Sequence, residues 1–304
     1  MKFAYISKLC SGISIILVIL SIGLLIYPGP RLSIDFTGGT LLELRLTTEK
    51  TKDDLLLVLR QDRQSDLIGN ANVSVTKADT FLIRTRDLTQ EEHARLLTRL
   101  ERELGELEEL QFTTIGPTVG TNLKKRAIWA FTAASVSIIL YLTFAFRKVP
   151  KKLNPWSFGV SALVGIIHDV FVTLGIFIVL SHTTSFEIDM LFVTAILSIM
   201  GYSVNDTIVI FDRLRDVLFS AHKHEDFSVT AEHGLRQSVS RTLNTGSSSL
   251  IMLLALFFLG SESIRWFILA IIVGIIIGTY SSFFVATPLL VFLQKHRHHK
   301  QSRQ

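Results

Sequence analysis

Residues 190–211 read Met190-Leu191-Phe192-Val193-Thr194-Ala195-Ile196-Leu197-Ser198-Ile199-Met200-Gly201-Tyr202-Ser203-Val204-Asn205-Asp206-Thr207-Ile208-Val209-Ile210-Phe211. The stretch is long enough for a membrane helix, since a hydrocarbon layer of about 30 Å takes roughly 20 apolar residues. Its one carboxylate, Asp206, breaks an otherwise uncharged run. Five further runs of the same kind flank it: Leu9–Tyr27, Ala127–Phe146, Ser157–Leu180, Leu243–Gly260 and Trp266–Thr287. The run at Leu243 opens on Asn244-Thr245-Gly246-Ser247-Ser248-Ser249, polar but uncharged. It can cross lipid only if its hydroxyls and small residues pack against other helices or line a wet path. The first run follows Lys2 and Lys8 like a signal peptide, but Tyr27-Pro28-Gly29-Pro30 offers no small-x-small cleavage site. An uncleaved anchor is expected.

Orientation follows from Lys and Arg in short loops. Lys2 and Lys8, then Arg147, Lys148, Lys151 and Lys152, then Lys295, Arg297, Lys300 and Arg303 form basic clusters without acids. The loop Asp212–Arg241 carries five basic residues offset by acids, whereas Ser181–Asp189 has no Lys or Arg and Ser261–Arg265 has one. Both termini are therefore expected in the cytoplasm. The expected domains are 1–30 (N-terminus and first span), 31–126 (extracytoplasmic), 127–294 (spans two to six) and 295–304 (basic tail). The formal net charge of +5 does not indicate nucleic acid, because residues 31–126 hold 15 Lys+Arg against 16 Asp+Glu. Cys10 is the only cysteine, so no internal disulfide can form.

Residues 31–126 predict a small α+β domain. Ser33–Thr47 reads as a strand running on from Gly38-Gly39. Thr51-x-x-Asp54 and Thr89-x-x-Glu92 each open a helix with capping-box spacing. Asn72–Thr76 and Thr80–Thr85 form a strand pair across Lys77-Ala78-Asp79, and Leu110–Ile115 closes the domain. The order strand-helix-strand-strand-helix-strand is that of a ferredoxin-like fold. His93, on the second helix, is expected to be solvated or packed rather than catalytic.

Few ionisable groups lie in the spans: His168 and Asp169 in the third and Asp206 in the fourth, with Arg241 just before the fifth. A charge at a helix centre costs roughly 2.5–3.5 kcal/mol on insertion scales, so each needs a partner, a wet cavity or a function. For His168 and Asp169, helix glue and function are equally open. Asp206 sits among small and polar neighbours, including Asn205. There desolvation favours the neutral acid and a nearby Arg⁺ the anion, so the group can take up and release a proton. Enzyme signatures are lacking. No H-E-x-x-H occurs, and Gly201-x-Ser203-x ends on Asn205 where a nucleophile elbow needs glycine. Asp169 and Asp206 could imitate an aspartyl dyad, which keeps an intramembrane protease as an alternative. The expectation is a non-enzyme, with no cofactor or metal and protons as the coupling ion.

Several stretches together resemble one family. Ile34-Asp35-Phe36-Thr37-Gly38-Gly39-Thr40 looks like its first signature, and Ile115-Gly116-Pro117-Thr118-Val119-Gly120 like the turn before its second span. His168-Asp169-Val170 matches its third-span motif. Gly201 to Arg213 is the most specific match, and Ser240-Arg241-Thr242-Leu243-Asn244-Thr245 resembles the start of its fifth span. Gly246-Ser247-Ser248-Ser249 departs by being more polar. The chain resembles the SecF branch of the SecD/SecF family, within the RND superfamily. The resemblance implies a six-helix, RND-like half-transporter of the bacterial plasma (inner) membrane with a small external domain, pairing with SecD, which brings a related six-helix half and a larger external domain. It also implies association with the SecYEG channel, with YajC and YidC as further candidate partners, and use of the proton-motive force on a translocating preprotein. Carried over by position, Asp206 and Arg241 are implied in proton transfer, with His168, Asp169, Asn205 and Asn244 as supporting polar residues. The residues alone leave open half of an RND-type small-molecule transporter, or a passive scaffold.

Overall fold

The computed structural model describes residues 2–47, 51–63, 71–75, 80–149, 154–220 and 227–301. It divides into two compact units: Met1–Pro30 with Trp129–Leu180 and Leu191–Gln304, and Arg31–Ile128 with Ser181–Met190.

The second unit is the α+β one. A one-turn helix α2 (Ile34–Thr37) precedes β1 (Gly39–Leu46); then come α3 (Lys52–Arg63), β2 (Asn72–Val75), β3 (Phe81–Thr85), α4 (Gln90–Leu104) and β4 (Leu107–Ile115). The four strands form one antiparallel sheet in the order β2-β3-β1-β4, the ferredoxin-like arrangement that the element order predicts. Alternation along β1 points Leu42 and Leu44 at a core shared with Leu55 and Leu59 of α3, Ile83 of β3 and Leu96 and Leu100 of α4. Both capping boxes form. The Thr51 N–H donates to Asp54 at 2.9 Å, and the Glu92 carboxylate accepts from the Thr89 N–H at 2.8 Å. Lys77-Ala78-Asp79 lie outside the described residues.

One expectation fails here. Ser33 does not begin a strand; its hydroxyl accepts from the Asp35 N–H and caps α2 instead. The strand starts after Gly38, where positive φ at both glycines (74° and 120°) turns the chain. His93 stacks on Phe112 at 3.8 Å between ring centroids, with Nε2 3.3 Å from a Glu109 oxygen.

The membrane unit contains α1 (Lys2–Ile26), α5 (from Pro117 to Ala145, shared with the other unit), α6 (Pro155–Thr183), α7 (Met190–Ser220) and α8 (Phe227–Leu259). A final helix α9 (Arg265–Ser281) passes through a π-turn, Ser282–Ala286, into α10 (Thr287–Gln301). Six of these segments are long and apolar enough to cross a membrane. The segment from 212 to 241, expected as a loop, is helical at both ends, since α7 runs to Ser220 and α8 begins at Phe227. The polar opening of the fifth span is helical, and two of its hydroxyls are satisfied by bonding back one turn. Thr245 donates to Arg241 O at 3.1 Å and Ser248 to Asn244 O at 2.9 Å. Helices α6, α7 and α9 are the most buried; α1, α5 and α8 expose most of their apolar surface. Phe146, Phe158 and Phe211 form an aromatic cluster in the core.

Candidate functional site

Three helices supply a polar seam inside the apolar bundle. From α6, His168 and Asp169 are 4% and 1% exposed; from α7, Asp206 is 3% exposed. His168 Nδ1 lies 3.0 Å from one Asp169 oxygen. The other Asp169 oxygen accepts from Ser203 Oγ at 2.5 Å and from Ser281 Oγ at 2.9 Å. Asp206 accepts from Thr279 Oγ1 at 2.9 Å, and Thr207 and Ser282 share a hydrogen bond of 2.9 Å. Among the described residues Asp169 is thus held by three partners and Asp206 by one. A fully satisfied buried network rigidifies its members, whereas a buried carboxylate with few partners is costly to keep ionised.

Close approach of the helices makes the seam possible. Gly278 of α9 faces α7 so tightly that an added Cβ would lie 3.3 Å from Ser203 Cβ and 3.5 Å from an Asp169 oxygen. The π-turn that begins at Ser282 lets Thr287 donate to Ser282 O at 2.7 Å. Beside the seam a cavity of about 520 Å³ is lined by apolar residues of α1, α6 and α9, with His168 and Tyr280 at its wall. The Tyr280 hydroxyl donates to Cys10 O at 2.8 Å, and His168 Nε2 has no partner among the described residues.

The structure brings together His168, Asp169 and Asp206 through the hydroxyls of α7 and α9. It does not bring Arg241 to Asp206. Arg241 is exposed on α8, and among the described residues no ion pair joins it to a carboxylate. Asn205 and Asn244 are also exposed, pointing away from the seam. The sequence reading missed Thr279, Ser281 and Ser282. Their signal was a run of four hydroxyl residues, 279–282, inside an apolar span, the same kind of signal that marked the fifth span.

Comparison with known proteins reaches nearly the whole chain. The family described as "Protein export membrane protein SecD/SecF, C-terminal" matches residues 97–296, and "SecD/SecF GG Motif" matches residues 25–50. "Protein translocase subunit SecF" of Thermobaculum terrenum is 37% identical over 287 residues, covering 92% of this chain and 89% of that protein. The chain belongs to the SecF family of protein export membrane proteins. The SecF of Haemophilus influenzae is 31% identical over 300 residues, 98% of this chain and 87% of that one. The crystal structure of SecDF from a Thermus species, a translocon-associated membrane protein, superposes with a TM-score of 0.81 at 31% identity. That match covers 97% of this chain but 39% of the SecDF chain, so this chain spans about two fifths of that length. The glycine pair of the family's GG motif is Gly38-Gly39, and the fold is that of a SecF-type, multi-pass membrane subunit.

Proposed function

We propose that this chain is the SecF subunit of the Sec translocase accessory complex. It pairs with SecD and uses the proton-motive force to promote late steps of protein export through SecYEG. YajC and YidC are further candidate partners, and the translocating preprotein is the substrate. Protons are the coupling ion, and no organic cofactor or metal is required. The observation that carries this reading is Asp206: a nearly buried carboxylate with a single hydrogen-bond donor among the described residues, on a helix that contributes to the bundle's apolar core. It is the proposed proton carrier. Arg241 is its electrostatic partner in another state of the complex, since in the isolated chain the guanidinium is exposed on α8. A cation and an asparagine exposed at a membrane helix need a polar partner or water, so the α8 face bearing Arg241 and Asn244 is the one SecD is proposed to cover. Loop charge supports cytoplasmic termini and an extracytoplasmic α+β domain. Affinity capture of the tagged chain in mild detergent tests the pairing. SecD should co-purify; capture of the intact chain without SecD, from cells that make both, would contradict it.

A further inference from the structure

The loop between α6 and α7 does more than connect two spans. Residues Ser181–Met190 belong to the α+β unit. The Ile188 N–H donates to Arg31 O at 2.8 Å, and the Ser33 N–H donates to Ile188 O at 2.9 Å, which makes Leu32 and Ile188 a parallel bridge. Side chains lock this pairing. The Glu187 side chain, 9% exposed, is ion-paired with Arg84 of β3 and lies 3.7 Å from Arg31. Arg31 in turn donates to Ser181 O at 3.0 Å. Burial pushes the Glu187 carboxyl up from the ordinary glutamate value, and the two guanidiniums pull it back down. Finally, a carboxylate oxygen of Asp35 in α2 accepts from the Met190 N–H at 2.8 Å. Met190 is the first residue of α7, and the N–H groups of a first turn lack partners inside their helix. An acid at that end also complements the helix dipole.

α7 is continuous from Met190 to Ser220, so Asp206 lies 16 residues along it, about 24 Å at 1.5 Å per residue. Helix displacements in switching proteins are commonly about 1–2 Å. A free loop of the six residues between α6 and α7 has a root-mean-square span of roughly 12–15 Å, slack enough to absorb such a shift. A loop pinned by an ion-paired Glu187 and a capped Met190 has no such slack. We propose that Asp35 and Glu187 are positioning residues that latch the start of α7 to the four-stranded sheet, so that movement of α7 accompanying proton exchange at Asp206 is delivered to the α+β domain. This rests on the function proposed above. The plain alternative is a latch that only tidies the loop.

The test uses the full chain with SecD and SecYEG in vesicles, in a Cys10→Ser background. Asp35→Ala with Glu187→Ala should keep normal abundance and SecD association, keep export that does not depend on the proton-motive force, and lose the force-dependent part. Leu32→Cys with Ile188→Cys, added to that variant, places two thiols on neighbouring paired strands about 4.8 Å apart, within disulfide reach. Oxidation should restore force-dependent export and reduction should remove it again, a readout that a merely structural loop would not move. If the double alanine variant loses abundance, Glu187→Gln, which keeps the side-chain volume, takes its place. Wild-type force-dependent export in the latch variant, indifferent to the disulfide, overturns the latch. If the wild type itself shows no force dependence, the proposed function fails, and amide exchange in residues 39–46 still decides the latch. Exchange there should differ between wild type and Asp206→Asn only while the latch is intact, and no difference with it intact refutes it.

Discussion

Replacing Gly39 by valine probes the turn on which the α+β domain depends. Gly39 has φ of 120°, and a Cβ built on it would lie 2.5 Å from the backbone carbonyl oxygen of Thr85 in β3. Neither obstacle can move cheaply: one is the backbone itself, and the other is part of the β1–β3 ladder, in which Thr40 pairs with Thr85. Forcing a β-branched residue to positive φ costs about 1–3 kcal/mol. Overpacking against fixed backbone costs a further 1–3 kcal/mol or so. The combined loss of about 2–6 kcal/mol is a large share of the roughly 5–15 kcal/mol that holds a domain folded. At about 4–8 °C per kcal/mol for a domain of this size, the melting point should drop by at least ~8 °C. Gly116→Ala is the matched control, because a Cβ there meets nothing within 4 Å, and such a change usually stays within about 0.5 kcal/mol. Pulse proteolysis of the purified full chain, following cuts between residues 31 and 128, reads both. Wild-type resistance in Gly39→Val, or equal damage from Gly116→Ala, would refute the steric reasoning.

Acid should weaken the α4 capping box. The Arg86 guanidinium, followed by the Thr89 N–H, holds the Glu92 carboxyl down at about 2. Its stabilisation is therefore complete above the ordinary glutamate value near 4.5 and lost as pH falls from there through about 2. Protease resistance titrated over that range should fall less steeply in Glu92→Gln than in the wild type, and Thr89→Ala should cost about 1 kcal/mol at neutral pH; parallel titrations would count against the box. Topology is read with single cysteines in a Cys10→Ser background: Thr98→Cys should react with an impermeant maleimide on intact spheroplasts and Lys148→Cys should not, and the reverse pattern overturns the orientation. Gly278→Val should loosen the packing of α7 on α9, costing about 1–3 kcal/mol, whereas Gly201→Ala, where a Cβ meets nothing within 4 Å, should be tolerated; equal thermal stability of the two variants in detergent would remove the close-approach argument.

Much of the fold was legible in the chain because its signals are local. Uncharged runs marked the spans, the Thr51/Asp54 and Thr89/Glu92 spacings marked two helix starts, and period-two alternation marked β1. What was not legible is long-range. Asp206 meets Thr279, 73 residues away, and no local period distinguishes that hydroxyl from Thr245, which satisfies its own helix. Arg241 has the charge that complements Asp206, but it is exposed on α8, and which way a helix faces is a tertiary property. Alternation after Gly38-Gly39 marked the strand, but its start was set too early at Ser33, whose hydroxyl accepts from the Asp35 N–H and turns the chain into a helix first. The latch was invisible for the same reason: Glu187 and Arg84 are ordinary loop and strand charges until the loop docks.

The central claim is that Asp206 carries the proton that drives export. Asp206→Asn retains the side-chain oxygen that accepts from Thr279 but cannot release a proton, and Asp206→Glu keeps the acid at a shifted position. The decisive measurement is export of a preprotein into inverted vesicles containing this chain, SecD and SecYEG, with and without a proton-motive force. Asp206→Asn should show normal abundance and SecD association, with the force-dependent increment gone and partial activity in Asp206→Glu. Full force-dependent export by Asp206→Asn would contradict the account.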